Sequence, residues 1–438
     1  MSGTLFLFTY TYPYGTAETF LETEIRYLAA AWERVVVLPS RIEGENRSVP
    51  AGVEVESGLA ERLARAHRPA EVAAMVLDPA FRAEVTRRPI VLARTGYLRR
   101  LTGQVALARS TGRWIEERLL RGRDPARTAL FYTYWMSQAA FGLARLKRSG
   151  TRLVFVTRAH GYDLYAERHT PPYLPLQREI VARADAVFTI SEHGRSYLAW
   201  KYPEHAGRVE VSRLGVLDPG MTTPGSVDGR WRVLSCSGLL PVKRVELLVR
   251  GLSVLAARNP DRVIQWDHLG DGPLRARIEQ EARERLPDNV EWTIHGHLPN
   301  PAVIEYYRTR PVDVLVNVSE SEGIPVSMME AQSFGVPVVA TAVGGVPEIV
   351  NADNGALLPP DADPAQIADA IELVCLESTS DARIRRASRE SWRERYDAAA
   401  NYQAFVTRLQ EIQHGDAARR PERPSGMQTP EIPERGGT

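Results

Sequence analysis

The chain has 438 residues, 44% hydrophobic and 25% charged, the composition of a soluble globular protein long enough for two domains of about 200 residues each. Its 55 basic and 54 acidic residues nearly cancel, which argues against a nucleic-acid partner and against an acidic tail protein. Only Lys147, Lys201 and Lys243 are lysines, leaving 52 arginines; a lysine kept against such a bias matters because an ammonium and a guanidinium are not interchangeable where a compact point charge is needed.

The N-terminal residues MSGTLFLFTYTYPYG lack the basic start and the apolar length of an export signal, and no stretch of 18 apolar residues exists. The expected location is therefore cytoplasmic, with any membrane contact peripheral. Apolar runs at residues 4–9, 35–39, 153–157 and 186–190 each precede an amphipathic stretch, which predicts βαβ units and a parallel sheet covered on both faces. The first βα turn, TYTYPYGTAETFLETEI, places Gly15 where a phosphate or an acceptor can approach the backbone, and sets Glu18 and Glu22 one helical turn apart. It lacks GxGxxG, which counts against an NAD or FAD enzyme.

Residues 82–127 hold 12 arginines against four acids, with Ile90, Leu92, Tyr97, Leu98, Leu101 and Trp114 among them. Two readings stand: an amphipathic region lying on an anionic membrane surface, or a solvated helical region of an arginine-rich chain. Past the run at 153–157, TRAHGYDLY offers His160 beside Gly161, with Asp163 able to orient the imidazole; the alternative is a structural histidine.

The stretch at 217–230, rich in Pro, Gly, Ser and Thr, reads as a linker. A second series of runs follows at 231–237, 263–270, 290–296, 313–319 and 337–345. The α/β architecture predicted is thus two doubly wound, Rossmann-like domains facing across a cleft. The expected boundaries are an N-terminal acceptor-binding domain at 1–216, the linker, a C-terminal domain at 231–385, an amphipathic helix at 386–412 crossing back, and a disordered tail at 413–438. Cys236 and Cys375, 139 residues apart, read as two buried thiols.

Three segments of the second series carry candidate chemistry. In VLSCSGLLPVKRVELLVRGL, the turn holding Ser237 leads to Lys243 and Arg244 at a helix start. Cations there oppose the helix dipole, a conflict that a bound pyrophosphate resolves; solvated surface cations are the alternative. In SESEGIPVSMMEAQSFGVPVVATAVGGVPE, a loop with Glu322 and Gly323 leads through Pro325 into a helix predicted over 326–334. Glu322 and Glu330, eight positions apart, are acceptor-only groups suited to a sugar and a ribose; otherwise they are a loop and a helix-face glutamate. Asp361 and Asp363 form a DAD triplet, read as a loop and helix cap rather than a metal site.

SESEGIPVSMMEAQSFGVPVVAT resembles the E-x7-E signature of retaining glycosyltransferases of family 4, which have the GT-B fold. LPVKRVELL, HLGDGPLR, HGHLPN, RAHGYDLY and ISEHGRSYL are similar to that family's blocks in its order, over about residues 5–410. The resemblance implies a retaining, metal-independent transfer of a sugar from a nucleotide-diphosphate sugar to a glycan or lipid-linked acceptor in cell-surface or exopolysaccharide biosynthesis. It implies no cofactor beyond that co-substrate. Lys243 would contact the donor diphosphate, Glu330 the ribose, and Glu322 with the backbone of Gly323, Ile324 and Pro325 the donor sugar and phosphate. His160 would meet the sugar from the N-terminal domain. Many family members have an arginine where this chain has Gly238, and Arg244 is the candidate to compensate. The alternatives are a GT-B sugar-nucleotide epimerase or phosphorylase, and a non-catalytic nucleotide-sugar-binding scaffold.

Overall fold

A computed structural model of the protein describes residues 3–65, 77–121, 128–380 and 382–415. It divides into two compact units. The first runs to Ser212 and is rejoined by the chain at Gln403; the second is Arg213–Tyr402.

The first unit is built on a seven-stranded parallel sheet of β1 (Thr4–Thr9), β2 (Arg34–Pro39), β3 (Val53–Val55), β4 (Ala129–Thr133), β5 (Val154–Ala159), β6 (Ala186–Thr189) and β7 (Val209–Val211). Their order is β3-β2-β1-β4-β5-β6-β7. Alternate side chains go to opposite faces of a strand. Leu5 and Leu7 of β1, with Val35 and Val37 of β2, join one buried cluster, whereas Phe6, Phe8, Val36 and Leu38 join another. Both faces are covered, so these strands read as continuous apolar runs rather than alternating ones. The Leu5 face is covered by the helix Leu21–Ala31 and by Phe405, Leu409 and Ile412 of the C-terminal helix. Below them, buried Arg158 donates to Glu24 at 2.6 Å and stacks 4.1 Å from the Phe405 ring centroid.

The second unit is a six-stranded parallel sheet of β8 (Trp231–Cys236), β9 (Ile264–Leu269), β10 (Val290–Ile294), β11 (Val314–Asn317), β12 (Val338–Thr341) and β13 (Gly355–Leu358), in the order β10-β9-β8-β11-β12-β13. Winding reverses between β1 and β4 in the first unit and between β8 and β11 in the second, and in such sheets ligands bind outside the carboxyl ends of the strands at that switch point.

Several expectations change. Residues 217–230 are no free linker, because they are tied to the second unit. Thr223 donates to the Tyr307 carbonyl at 2.5 Å, and Ser226 donates through its amide and hydroxyl to Asp313 at 2.7 and 2.6 Å. The helix expected over 386–412 is two helices, Arg383–Arg395 and Ala398–His414. The break comes at Asp397, which forms a β-bridge with Val216, with backbone bonds from Val216 to Tyr396 and from Ala398 to Val216. Gln413 and His414 belong to the second helix, and the rest of the expected tail, 416–438, lies outside the described residues. Cys375 is buried but Cys236 only partly so, and both are free.

In the arginine-rich segment most of the apolar side chains face the protein. Leu101 and Trp114 of the helix Thr95–Ile115 are core residues, with Tyr97 and Leu98 packed against them. Arg109 pairs with the buried Asp78, and Arg100 donates to the Tyr173 carbonyl. Ile90 and Leu92 are exposed; Arg123 and Arg127 lie outside the described residues.

Candidate active site

In the second unit, Lys243 follows β8 and Glu322 follows β11, so the switch point sets them side by side: Lys243 Nζ donates to Glu322 Oε1 at 2.6 Å, and Asn317 Nδ2 reaches the same oxygen at 3.3 Å. Glu322 is buried while Lys243 keeps part of its surface. The loop carrying Glu322 is fastened from three sides. The Glu320 amide donates to the Val242 carbonyl, Thr341 donates to the Ser319 carbonyl, and the Gly345 amide donates to the Gly323 carbonyl. Gly344 (φ +54°) permits the last of these contacts, since a Cβ there would sit 2.0 Å from the Glu322 carbonyl oxygen.

Gly323, Ile324 and Pro325 lead into the helix Val326–Ser333, with Pro325 as N-cap. The amides opening a helix have no intrahelical acceptor, and they face anions favourably. Four residues in, Glu330 is buried, only 6% exposed, and accepts from Asn300 Nδ2. Burial pushes its carboxyl up to about 7, against the smaller lowering effect of the Asn300 bond. A carboxylate removed from water with a single neutral donor gains from hydroxyl donors brought by a ligand. Asn300 opens the helix Asn300–Thr309 from the HGHLPN turn; the sequence motif marked the turn, but no spacing signal tied that side chain to Glu330.

Arg244, the candidate to compensate for Gly238, is held by partners within the chain. It stands at φ +49° ahead of the helix Val245–Arg258, a conformation uncommon for a non-glycine residue. Its guanidinium is used on backbone carbonyls: Nε to Val318 at 2.7 Å, Nη1 to Pro360 at 2.9 Å and Nη2 to Ser319 at 3.2 Å. Arg244 therefore ties the loop after β11 to the turn after β13's strand end, and Lys243 is the cation left for an anion at this turn.

Ser237 is held by its backbone, its amide donating to the Leu269 carbonyl and its carbonyl accepting from His268 Nε2 at 3.0 Å. The turn after β8 is fixed from within. Trp266 Nε1 donates to Ser235 Oγ at 2.9 Å, and Ser235 lies 2.8 Å from His268 Nδ1. With Nε2–H donating to Ser237, the Ser235 hydroxyl donates to Nδ1 and the imidazole is neutral. Burial drives the His268 pKa down to about 4, in keeping with that state. Asp363 caps its helix by accepting from Gln366 N at 2.9 Å, and among the described residues no group of three His, Cys, Asp or Glu side chains could hold a metal ion.

The first unit brings together a different set at its own switch point. His160 lies beyond β5, only 7% exposed, and its ring is packed against Trp135 (4.5 Å between centroids), Tyr134 (4.8 Å) and Phe20 (5.9 Å). Neither ring nitrogen has a hydrogen-bond partner among the described residues. Asp163 does not orient the imidazole as expected. Its oxygens accept from the His160 amide at 2.7 Å and the Met136 amide at 2.8 Å, leaving Nδ1 3.8 Å away. Gly15 is taken up by the chain itself: its amide donates to the Glu45 carbonyl, and a Cβ on it would meet the Glu43 carbonyl oxygen at 2.6 Å. Its conformation (φ +68°) serves the approach of the chain's own 43–46 segment. The amides of this turn hold an internal carboxylate. Glu18 accepts from the amides of Tyr10, Thr11 and Tyr12 at 3.0, 2.8 and 2.7 Å, and from Trp135 Nε1 at 2.6 Å.

Residues 222–391 match the family of glycosyl transferases group 1. The putative colanic acid biosynthesis glycosyltransferase WcaL of Escherichia coli K12 is 29% identical over 259 residues, covering 56% of this chain and 61% of the relative. A D-inositol 3-phosphate glycosyltransferase of Kribbella flavida is 27% identical over 223 residues, covering 47% and 52%. The chain thus spans between about half and three fifths of these relatives. Among solved structures, Anabaena HepE in complex with UDP superposes with a TM-score of 0.64 at 18% identity, covering 93% of this chain and 100% of that one. Sucrose-phosphate synthase from Thermosynechococcus elongatus gives 0.65 at 16%, covering 94% and 99%. The fold of the chain is therefore GT-B, with two Rossmann-like units, and its second unit is a glycosyl transferases group 1 domain.

Proposed function

We propose that the protein is a retaining, metal-independent glycosyltransferase that moves a sugar from a nucleotide-diphosphate sugar to a glycan or lipid-linked acceptor. The observation that carries this reading is the pairing of Lys243 with Glu322 at the second unit's switch point, beside a helix start and the buried Glu330. The names of similar proteins support it at the level of sugar transfer, and surface polysaccharide biosynthesis is the setting we infer from the first of them.

In this reading the donor diphosphate lies between the Lys243 ammonium and the amides that open the helix Val326–Ser333. Glu330, ionised, accepts from the ribose hydroxyls, and the Glu322 carboxylate shares Lys243 with the phosphate while facing the sugar hydroxyls. Transfer breaks the bond between the anomeric carbon and the phosphate oxygen and forms one to the acceptor oxygen on the same face. The acceptor proton passes to the departing diphosphate. Lys243 and the helix amides stabilise the charge that develops on it, the step in which fixed electrostatics act most strongly. No metal or resident cofactor is assigned. His160 is the polar group that the first unit offers to the sugar.

A ligand-shift screen with UDP-, GDP- and ADP-sugars, followed by a transfer assay, tests the reading. A thermal shift together with product formation supports it. Binding without turnover points instead to a nucleotide-sugar-binding scaffold, and a changed sugar released as nucleotide sugar points to an epimerase. We also infer a peripheral location on the cytoplasmic membrane face, supported by exposed Ile90 and Leu92 beside Arg87 and Arg94. No helix among the described residues is long and apolar enough to cross a membrane. Flotation that is indifferent to anionic lipid would remove this location.

A further inference from the structure

Glu18 has no part in the proposed transfer, yet its setting is unusual for a glutamate. It is 5% exposed, adopts φ +57°, and places its carboxylate in the concavity formed by three successive amides at the carboxyl end of β1. Successive amides of this kind form an anion site, and here a side chain fills it. One carboxylate oxygen, Oε1, also takes the indole N–H of Trp135 at 2.6 Å, a charge-assisted bond that fixes the ring's direction. Trp135 follows β4, the other strand of the switch point, and its ring lies 4.5 Å from that of His160. Two residues beyond Glu18, Phe20 stacks on Tyr134 at 5.6 Å and approaches the same imidazole. The turn after β1, the turn after β4 and the histidine after β5 are thereby joined.

We propose that Glu18 is a positioning residue: by binding the Trp135 indole while anchored in the β1 amides, it holds the aromatic cradle of Phe20, Tyr134 and Trp135 around His160, whose two buried ring nitrogens have no hydrogen-bond partner among the described residues. The backbone bonds alone would make Glu18 a loop anchor. The bond to Trp135 makes it act on the orientation of a side chain that no other hydrogen bond among the described residues orients. The proposal deepens the transferase reading, on which its kinetic consequence rests, since a ring misplaced by about 1 Å can cost on the order of 10²-fold in turnover.

The test uses the full-length protein carrying ¹³C-labelled histidine, with the His160 ring signal assigned by its loss in His160→Ala. Stacked aromatic rings shift that signal, so Glu18→Gln and Trp135→Phe should both move it. Trp135→Phe deletes only the indole N–H and part of the ring, and it remains informative should Glu18→Gln fold poorly. In a transfer assay, kcat should fall in each single variant with the nucleoside-diphosphate Kd within about twofold of wild type, and the double variant should fall no further than the worse single one. A His160 signal unmoved in Trp135→Phe, or additive losses in the double variant, would overturn the proposal. If the wild type transfers no sugar from any nucleotide donor, the transferase reading fails while the ring measurement still decides the role of Glu18.

Discussion

The two switch points are the same topological device with opposite electrostatics. In the second unit the turn after the first strand carries a cation, Lys243, bound to one carboxylate that it can share, and the helix after the neighbouring strand carries a buried acid held up at about 7. In the first unit the corresponding turn carries an anion, Glu18, whose two oxygens are already met by four N–H groups. A phosphate brought to the second unit gains a cation; brought to the amides of the first it would have to displace a carboxylate. The comparison teaches that strand order marks where ligands go, and that the residues in the turn decide which charge they carry.

The largest test of this contrast is Lys243→Ala, for which turnover is expected to fall about 10²- to 10³-fold. Lys243→Arg should recover little, because a planar fork does not replace a compact ammonium at the Glu322 oxygen. Steady-state kinetics against the nucleotide donor would measure both. Next comes the pH dependence of nucleoside-diphosphate binding. In the proposed reading ribose hydroxyls donate to the ionised carboxylate of Glu330, so affinity should rise as pH increases through about 7, and Glu330→Gln should flatten that rise in calorimetric titrations. The sign for stability is opposite: a carboxyl raised in the folded state favours folding most at low pH, and this contribution is lost as pH climbs through about 7. Asn300→Ala removes the donor that opposes the upward shift, so the binding midpoint should move to higher pH and affinity should drop by about tenfold.

The smallest effect on binding belongs to Arg244→Ala. Its guanidinium serves carbonyls 318, 319 and 360, so the variant should lose about 1–3 kcal/mol of stability in denaturant melts while its nucleotide affinity stays within about threefold. A large loss of affinity at unchanged stability would restore Arg244 to the phosphate clamp and erase part of the asymmetry.

Legibility in the sequence followed the same divide. The apolar runs at 4–9, 35–39, 153–157 and 186–190 and their five counterparts in the second unit all coincide with strands, because strands buried on both faces are continuous apolar segments. The strands without a clear sequence signal are β3 and β7, three residues each, the edge strand β13 of four residues, and β4. The last, ALFYT, lies directly after the arginine-rich segment, whose charge masks a short apolar run. Lys243 stands out in the sequence as a cation at a helix start, and Glu322 and Glu330 as two acceptor-only groups eight positions apart; the structure pairs the first two. Arg244 presented the same local conflict and resolved it against carbonyls brought in from β11 and beyond β13, a long-range partnership that spacing does not encode. Gly15 and Asp163 likewise have partners that spacing does not encode, the 43–46 segment and Met136, which come from other strands' connections.

Hydrogen exchange in the presence of a nucleoside diphosphate tests the contrast between the two units most directly. The account predicts protection in segments 237–245 and 319–332 of the second unit and none in segment 9–20 of the first. Protection confined to 9–20, with 319–332 unchanged, would contradict it.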